Sequence, residues 1–150
     1  MKNDTIVAEV GLTYKTVAPI SDLPEITSPD SAYELLITLF DQNSIQLQEH
    51  FLILLLDTQK RCLGYSNISK GGSSSTIVEP KFIFQTALLS NADSFLLCHN
   101  HPSGELVASA ADISLTKRIE KSARLLAIEL VDHLIISTEG FLSMRSKRLL

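Results

Sequence analysis

The chain has 150 residues, of which 45% are hydrophobic and 20% charged, and a net charge of −4 at pH 7. It is long enough to enclose a hydrophobic core. Its longest apolar run, residues 51–56, is far shorter than a membrane span, so we expect no transmembrane helix. The N-terminus lacks the apolar stretch of a signal peptide, so we expect a cytoplasmic protein without a membrane partner. The length predicts a single domain over residues 1–150. The net negative charge argues against general affinity for nucleic acids.

The first half of the chain predicts a strand, a loop, a helix and a β-hairpin. Residues 1–28 should hold an N-terminal strand, over residues 6–14, and a loop that carries two prolines. Ser28, followed by a proline and an aspartate, is typical of a helix start. The run at 51–56 is apolar on both faces, which predicts a strand beginning near residue 47 in the middle of a covered sheet. Residues 61–68 predict its hairpin partner.

The second half alternates helices and strands. Glu79-Pro80 predicts a second helix start, and residues 94–99 predict a strand. Ser109 predicts the start of a third helix, followed by strands at 130–136 and 141–144. Hairpins mixed with helices indicate an α/β (α+β) domain with a mixed central sheet and helices packed on it.

The side chains that suggest chemistry gather around one turn. An apolar strand ends in His99-Asn100-His101, a Pro-Ser-Gly turn follows, and Asp112 comes after the turn. Two histidines at i, i+2 on an extended backbone point to the same side, and the loop can bring the carboxylate back to them. Two imidazoles and a carboxylate, with a fourth position open, are a donor set for catalytic zinc. We therefore predict a Zn²⁺ site of His99, His101 and Asp112.

Each of these signals has a simpler alternative. Two histidines at a strand end can be polar residues that leave a core. Asp112 and Ser109 also match a capping box, in which both side chains satisfy the backbone of the helix start.

The segment His99-Asn100-His101-Pro102-Ser103-Gly104, followed by Ser109-Ala110-Ala111-Asp112, resembles the His-x-His-Pro…Ser-x-x-Asp signature of JAMM (MPN or JAB) metalloproteases. More narrowly, it resembles the bacterial RadC family, over roughly residues 28–144. The resemblance implies a JAB/MPN deaminase-like fold and a zinc-dependent metallopeptidase or isopeptidase that acts on a protein or peptide. RadC proteins commonly carry a helix-hairpin-helix region ahead of this domain, and nothing in residues 1–30 resembles one, so we expect a stand-alone module.

The resemblance also implies two catalytic residues. The family uses an upstream glutamate as general base, and Glu49 fits at the head of the apolar strand, where partial burial would raise its pKa. Glu79 is the second candidate. Ser109 matches the family serine, whose hydroxyl stabilises an oxyanion; helix capping is its alternative role. His133 is also similar to a RadC position, and we expect it to shape a sheet edge, with support of the metal site as the alternative.

Two positions depart from the RadC pattern. Ala108 precedes Ser109 where the family has proline, which leaves the serine less rigidly held, and Lys81-Phe82 follows Pro80 where the family has Arg-Glu. Basic residues over 117–124 and 145–148 are expected to form a solvated helix face and a tail. The alternative functions are a DNA-repair or other nucleic-acid-linked role, which the RadC resemblance implies, and a metal-free MPN interaction module.

Overall fold

A computed structural model of the chain describes residues 10–11, 13–72 and 77–150. A short 3₁₀ helix, Ile20–Asp22, precedes the larger elements. These are α1 (Pro29–Leu39), β1 (His50–Leu56), β2 (Cys62–Lys70), α2 (Pro80–Leu89), β3 (Ser94–Asn100), α3 (Ala110–Leu125), β4 (Glu129–Ser137) and β5 (Gly140–Ser143). Among these described residues, no helix is long and apolar enough to cross a membrane.

The strands form one mixed sheet in the order β2-β1-β3-β4-β5. β1 pairs antiparallel with its hairpin partner β2 on one side and with β3 on the other. β3 and β4 are parallel, which requires a crossover, and α3 supplies it. β5 returns antiparallel to β4. The predicted class, a mixed central sheet with helices, is confirmed.

The sheet is covered on both faces, which explains the unbroken apolar sequence of β1. All seven residues of β1 are buried. Alternate residues of the strand point to opposite faces. Leu52 belongs to a core with Leu36 of α1, whereas Ile53 belongs to a second core with Ile83 of α2 and Ile119 of α3. The helices therefore lie on both sides of the sheet.

The helix starts fall where the sequence predicts them. Ser28 Oγ accepts a hydrogen bond from the Ser31 N–H at 3.1 Å, and Pro29 is the first residue of α1. Pro80 is the first residue of α2, and Ser109 is the N-cap of α3. Capping side chains and N1 prolines are local signals, which is why they can be recognised without tertiary information.

Two predicted strand positions differ. β1 begins at His50 rather than near residue 47, because residues 41–48 form hydrogen-bonded turns in which the Leu47 and Gln48 N–H groups both donate to the Ser44 carbonyl. Leu47 consequently faces solvent. The predicted N-terminal strand at 6–14 falls largely on residues 1–9 and 12, which lie outside the described ranges, and its described positions 10, 11, 13 and 14 form no strand.

Candidate metal centre

The end of β3 and the start of α3 bring together the three predicted zinc ligands. His99 lies near the end of β3 and His101 directly follows it, so both imidazoles point to one side. Their Nε2 atoms are 3.0 Å apart. Asp112, in the first turn of α3, places Oδ1 3.3 Å from His99 Nε2 and Oδ2 3.7 Å from His101 Nε2. One ligand atom from each residue lies within 4.8 Å of the others, a cluster that could hold a metal ion.

The cluster is partly shielded from water and contains an ionised carboxylate. His99 is buried, whereas His101 and Asp112 are partly exposed. Burial acts to raise the pKa of Asp112, but the neighbouring imidazoles of His101 and His99 outweigh burial and hold that pKa far below its usual range. The same contact raises the pKa of His101. Asp112 is therefore a carboxylate at neutral pH.

Asp112 also caps its own helix, and the two roles use different oxygens. Oδ2 accepts hydrogen bonds from the Ser109 N–H at 2.8 Å and from the Ser109 hydroxyl at 2.7 Å. Oδ1 faces His99. The capping role, considered above as an alternative to metal binding, thus leaves one carboxylate oxygen, Oδ1, directed at His99.

Glu49 lies at the site, immediately before β1. Two hydrogen bonds fix its backbone. The Glu49 N–H donates to the Gly72 carbonyl at 3.0 Å, and the Glu49 carbonyl accepts from the Gly71 N–H at 2.8 Å. β1 and β3 are antiparallel and align Phe51 with His99. Glu49, two positions before Phe51, therefore lies toward His101, two positions after His99. Burial raises the pKa of Glu49, and the charges of the histidine and aspartate cluster act on it as well. Glu79, the second candidate, is exposed beside the N-terminus of α2.

Asn100 holds the segment that carries Glu49, and sequence reasoning gave it no role. It is buried between the two histidines, on the opposite face of the strand. Its Nδ2 donates to the carbonyls of Ile45 at 2.6 Å and Gln48 at 2.9 Å, and its Oδ1 accepts from the His50 N–H at 2.7 Å. Strand alternation could have suggested that Asn100 points away from the metal, but its partners lie about 50 residues away in the chain.

The sequence suggested that His133 shapes a sheet edge, and that prediction is wrong. β4 lies between β3 and β5, so His133 sits inside the sheet and is fully buried, aligned with Leu97. Its Nε2 is 2.7 Å from Nδ1 of His99, and its Nδ1 is 2.7 Å from the hydroxyl of Thr116. Burial lowers the pKa of His133 well below the usual value, so the ring is neutral.

A cavity of about 270 Å³ adjoins His101. It is lined by the turn at 101–105, by residues 45–46 and by residues 137–139 at the end of β4. This places open space directly beside the cluster, on the side of the Pro-Ser-Gly turn.

A mixed sheet that presents two histidines at the end of an inner strand, and an aspartate from the next helix, is the arrangement of a JAB/MPN-type domain. The chain belongs to the RadC-like JAB domain family, whose model matches residues 26–149. The family resemblance inferred from the sequence is confirmed.

Similar proteins share the name "UPF0758 protein". The chain is 41% identical over 120 residues to the UPF0758 protein of Finegoldia magna, and the aligned segment covers 80% of this chain and 52% of the relative. It is 34% identical over 144 residues to that of Clostridium beijerinckii, covering 96% and 62%. For Clostridium kluyveri the identity is 38% over 144 residues, covering 96% and 61%. The chain thus spans between half and two thirds of the length of these curated relatives.

Proposed function

We propose that this domain is a zinc-dependent hydrolase that cleaves an amide, in a peptide or isopeptide bond. The supporting observation is the convergence of His99, His101 and Asp112 beside the buried carboxyl group of Glu49. Membership of a JAB domain family agrees with this chemistry.

The donor set fits zinc. His101 Nδ1 is 2.9 Å from the Glu105 carbonyl oxygen, which can only accept, so in the neutral ring Nδ1 carries the proton and Nε2 offers a lone pair. Ligands 2.0–2.2 Å from one tetrahedral ion lie about 3.3–3.6 Å apart. The distance from His99 Nε2 to Asp112 Oδ1, 3.3 Å, lies in that range, and the distance of 3.0 Å between the Nε2 atoms of His99 and His101 is somewhat shorter. Three protein ligands leave a fourth position for water or substrate.

Each protein group has a distinct task in this mechanism. Zinc, when bound, would lower the pKa of a coordinated water to about 7. The Glu49 carboxylate takes a proton from the attacking water and passes it to the leaving amine, a task favoured by the raised pKa that burial gives it. The Ser109 hydroxyl donates to the oxyanion that forms at the substrate carbonyl.

Ser109 can cap the helix and serve the reaction together. Its Oγ accepts from the Asp112 N–H at 3.1 Å, which uses a lone pair of the hydroxyl. The hydroxyl proton is donated to Asp112 Oδ2 at 2.7 Å, and in the proposed mechanism it turns to the oxyanion when that charge forms. The cap therefore positions the hydroxyl, and its donor passes from the carboxylate to the oxyanion during the reaction.

The decisive experiment compares the parent protein with Glu49→Gln, and uses Glu79→Gln as the matched control. Elemental analysis should find about one zinc per chain in all three proteins. An unbiased peptide library should be cleaved by the parent and by the Glu79 variant, but not by the Glu49 variant. Absence of zinc from the parent, or full cleavage by Glu49→Gln, would contradict the proposal.

A nucleic-acid-linked role is the second candidate, supported by exposed Lys117, Arg118 and Lys121 on the outer face of α3. A filter-binding titration at low and high salt tests it, because contacts to phosphates weaken steeply with salt. Tight, salt-sensitive binding would favour this role. A stoichiometric zinc measurement separates the hydrolase from a metal-free interaction module.

A further inference from the structure

We infer that His133 and Thr116 form a hydrogen-bond relay that decides which nitrogen of His99 carries a proton, and so prepares His99 to bind a metal. The inference rests on the zinc site proposed above and adds two residues to it. Both act through His99 and are therefore positioning residues.

The relay begins at a backbone carbonyl. The Thr116 hydroxyl lies 2.5 Å from the carbonyl oxygen of Asp112, four residues earlier in α3. A carbonyl oxygen can only accept, so the hydroxyl proton points to it. Thr116 Oγ1 is also 2.7 Å from His133 Nδ1. Because the single hydroxyl proton is already used, His133 Nδ1 must be the donor in this second bond.

The same donor–acceptor order continues in the hydrogen bond between His133 and His99. A neutral imidazole with a proton on Nδ1 has a lone pair on Nε2, and His133 Nε2 lies 2.7 Å from His99 Nδ1. His99 Nδ1 is therefore the donor, and in the neutral ring His99 Nε2 keeps its lone pair. That atom is the one that faces His101 and Asp112.

The opposite direction is unfavourable at the Thr116 end. It would leave the Thr116 and Asp112 oxygens facing each other across 2.5 Å with no proton between them. It would also leave a proton on His99 Nε2, which a metal would have to displace. Water cannot take over any bond of the relay, because His99 is 1% exposed and His133 and Thr116 are 0% exposed.

Phe51 fixes the rings in place. It stacks on His99, with ring centroids 5.8 Å apart and planes 7° apart, and presents an edge contact to His133 at 5.4 Å. Histidines that bind metals commonly donate their second N–H to a carbonyl or carboxylate, which orients the ring. His101 does so directly, to Glu105, whereas His99 reaches the Asp112 carbonyl through two side chains.

The test compares Thr116→Val, which removes the hydroxyl while keeping the side-chain shape, with Thr116→Ser, which restores it. Thr86→Val is the matched control, because Thr86 makes the same bond to the carbonyl four residues earlier, in α2. ¹⁵N NMR of the zinc-free proteins, at a pH where the rings are neutral, reports which nitrogen of His99 is protonated. Zinc affinity is measured in competition with a chromophoric chelator, and folding by thermal unfolding.

We expect an unprotonated His99 Nε2 in the parent, in Thr116→Ser and in Thr86→Val, and a mixture of both forms in Thr116→Val. Zinc affinity should fall about 10- to 100-fold in Thr116→Val and stay near the parental value in the other two. His133→Leu should weaken zinc binding at least as much. If Thr116→Val does not fold, the NMR result for the parent still decides.

A proton on His99 Nε2 in the zinc-free parent would overturn the relay, as would equal zinc affinity in folded Thr116→Val and parent. A parent that binds no zinc would contradict the proposed hydrolase instead. In that case the tautomer of His99 still tests the relay, so the two failures can be told apart.

Discussion

Ser109 and Asp112 hydrogen-bond each other in both directions across the first turn of α3. The Ser109 hydroxyl donates to Asp112 Oδ2 at 2.7 Å, and its oxygen accepts from the Asp112 N–H at 3.1 Å. The reciprocal cap holds the carboxylate so that its other oxygen faces His99 at 3.3 Å. The local structure that starts a helix is thus also the structure that aims a proposed metal ligand.

Replacing Ser109 separates its capping role from its proposed catalytic role. Ser109→Ala should cost about 1 kcal/mol of unfolding free energy, whereas Ser109→Gly should cost only about a few tenths, because glycine is tolerated at an N-cap. Both variants lack the hydroxyl, so turnover should fall about 10²- to 10³-fold in each. Urea unfolding and rate measurements on both variants check this. A turnover loss in Ser109→Ala alone would assign the residue to capping.

Removing a proposed ligand should abolish stabilisation by zinc. A ligand that binds only the folded state adds about 2.7 kcal/mol when it is present at 100 times its Kd. We expect added zinc to raise the melting temperature of the parent and of Glu49→Gln, and to leave His101→Ala unchanged. Differential scanning calorimetry with zinc and with a chelator measures the effect. A zinc-dependent rise that persists in His101→Ala would remove His101 from the ligand set.

Most of the fold could be predicted from the sequence because its signals are local. Ser28-Pro29 and Ser109 start helices through contacts within one turn, and the apolar run at 51–56 reports a strand covered on both faces. The meeting of His99, His101 and Asp112 could be predicted for the same reason, since one strand end, one turn and one helix start connect them.

The support around the cluster could not be predicted, because it depends on contacts between distant segments. Thr116 meets His133 across 17 residues, His133 meets His99 across 34, and Asn100 meets the segment before β1 across about 50. The interior position of β4 in the sheet is set by the chain's topology. Residue type and spacing alone therefore left His133 as an edge residue and gave Thr116 and Asn100 no role.

Asn100 should be needed to keep the Glu49 segment in place. Asn100→Ala leaves the Ile45 and Gln48 carbonyls and the His50 N–H without their side-chain partner, at about 1–3 kcal/mol for each buried group that stays unpaired. We expect lower stability and faster amide exchange in residues 45–50. Hydrogen–deuterium exchange measures this, with Asn67→Ala, at an exposed position of β2, as the control. Parental exchange in this segment would contradict the role.

His50 should make the folded protein less stable as the pH falls. Burial lowers the pKa of His50, Lys70 lowers it further, and Asp41 opposes both. Below about pH 6.5 the unfolded chain therefore binds a proton that the folded chain does not, so stability declines until the pH reaches the folded pKa.

In His50→Gln this contribution disappears, and the loss of unfolding free energy between about pH 7 and pH 5 should be smaller than in the parent. Urea titrations of zinc-free protein across that range measure the difference. Ser44→Ala is the control, because the Ser44 hydroxyl lies 3.2 Å from His50 Nε2 but does not titrate, and its curve should run parallel to that of the parent. Equal pH slopes in His50→Gln and the parent would show that the folded and unfolded states protonate His50 alike.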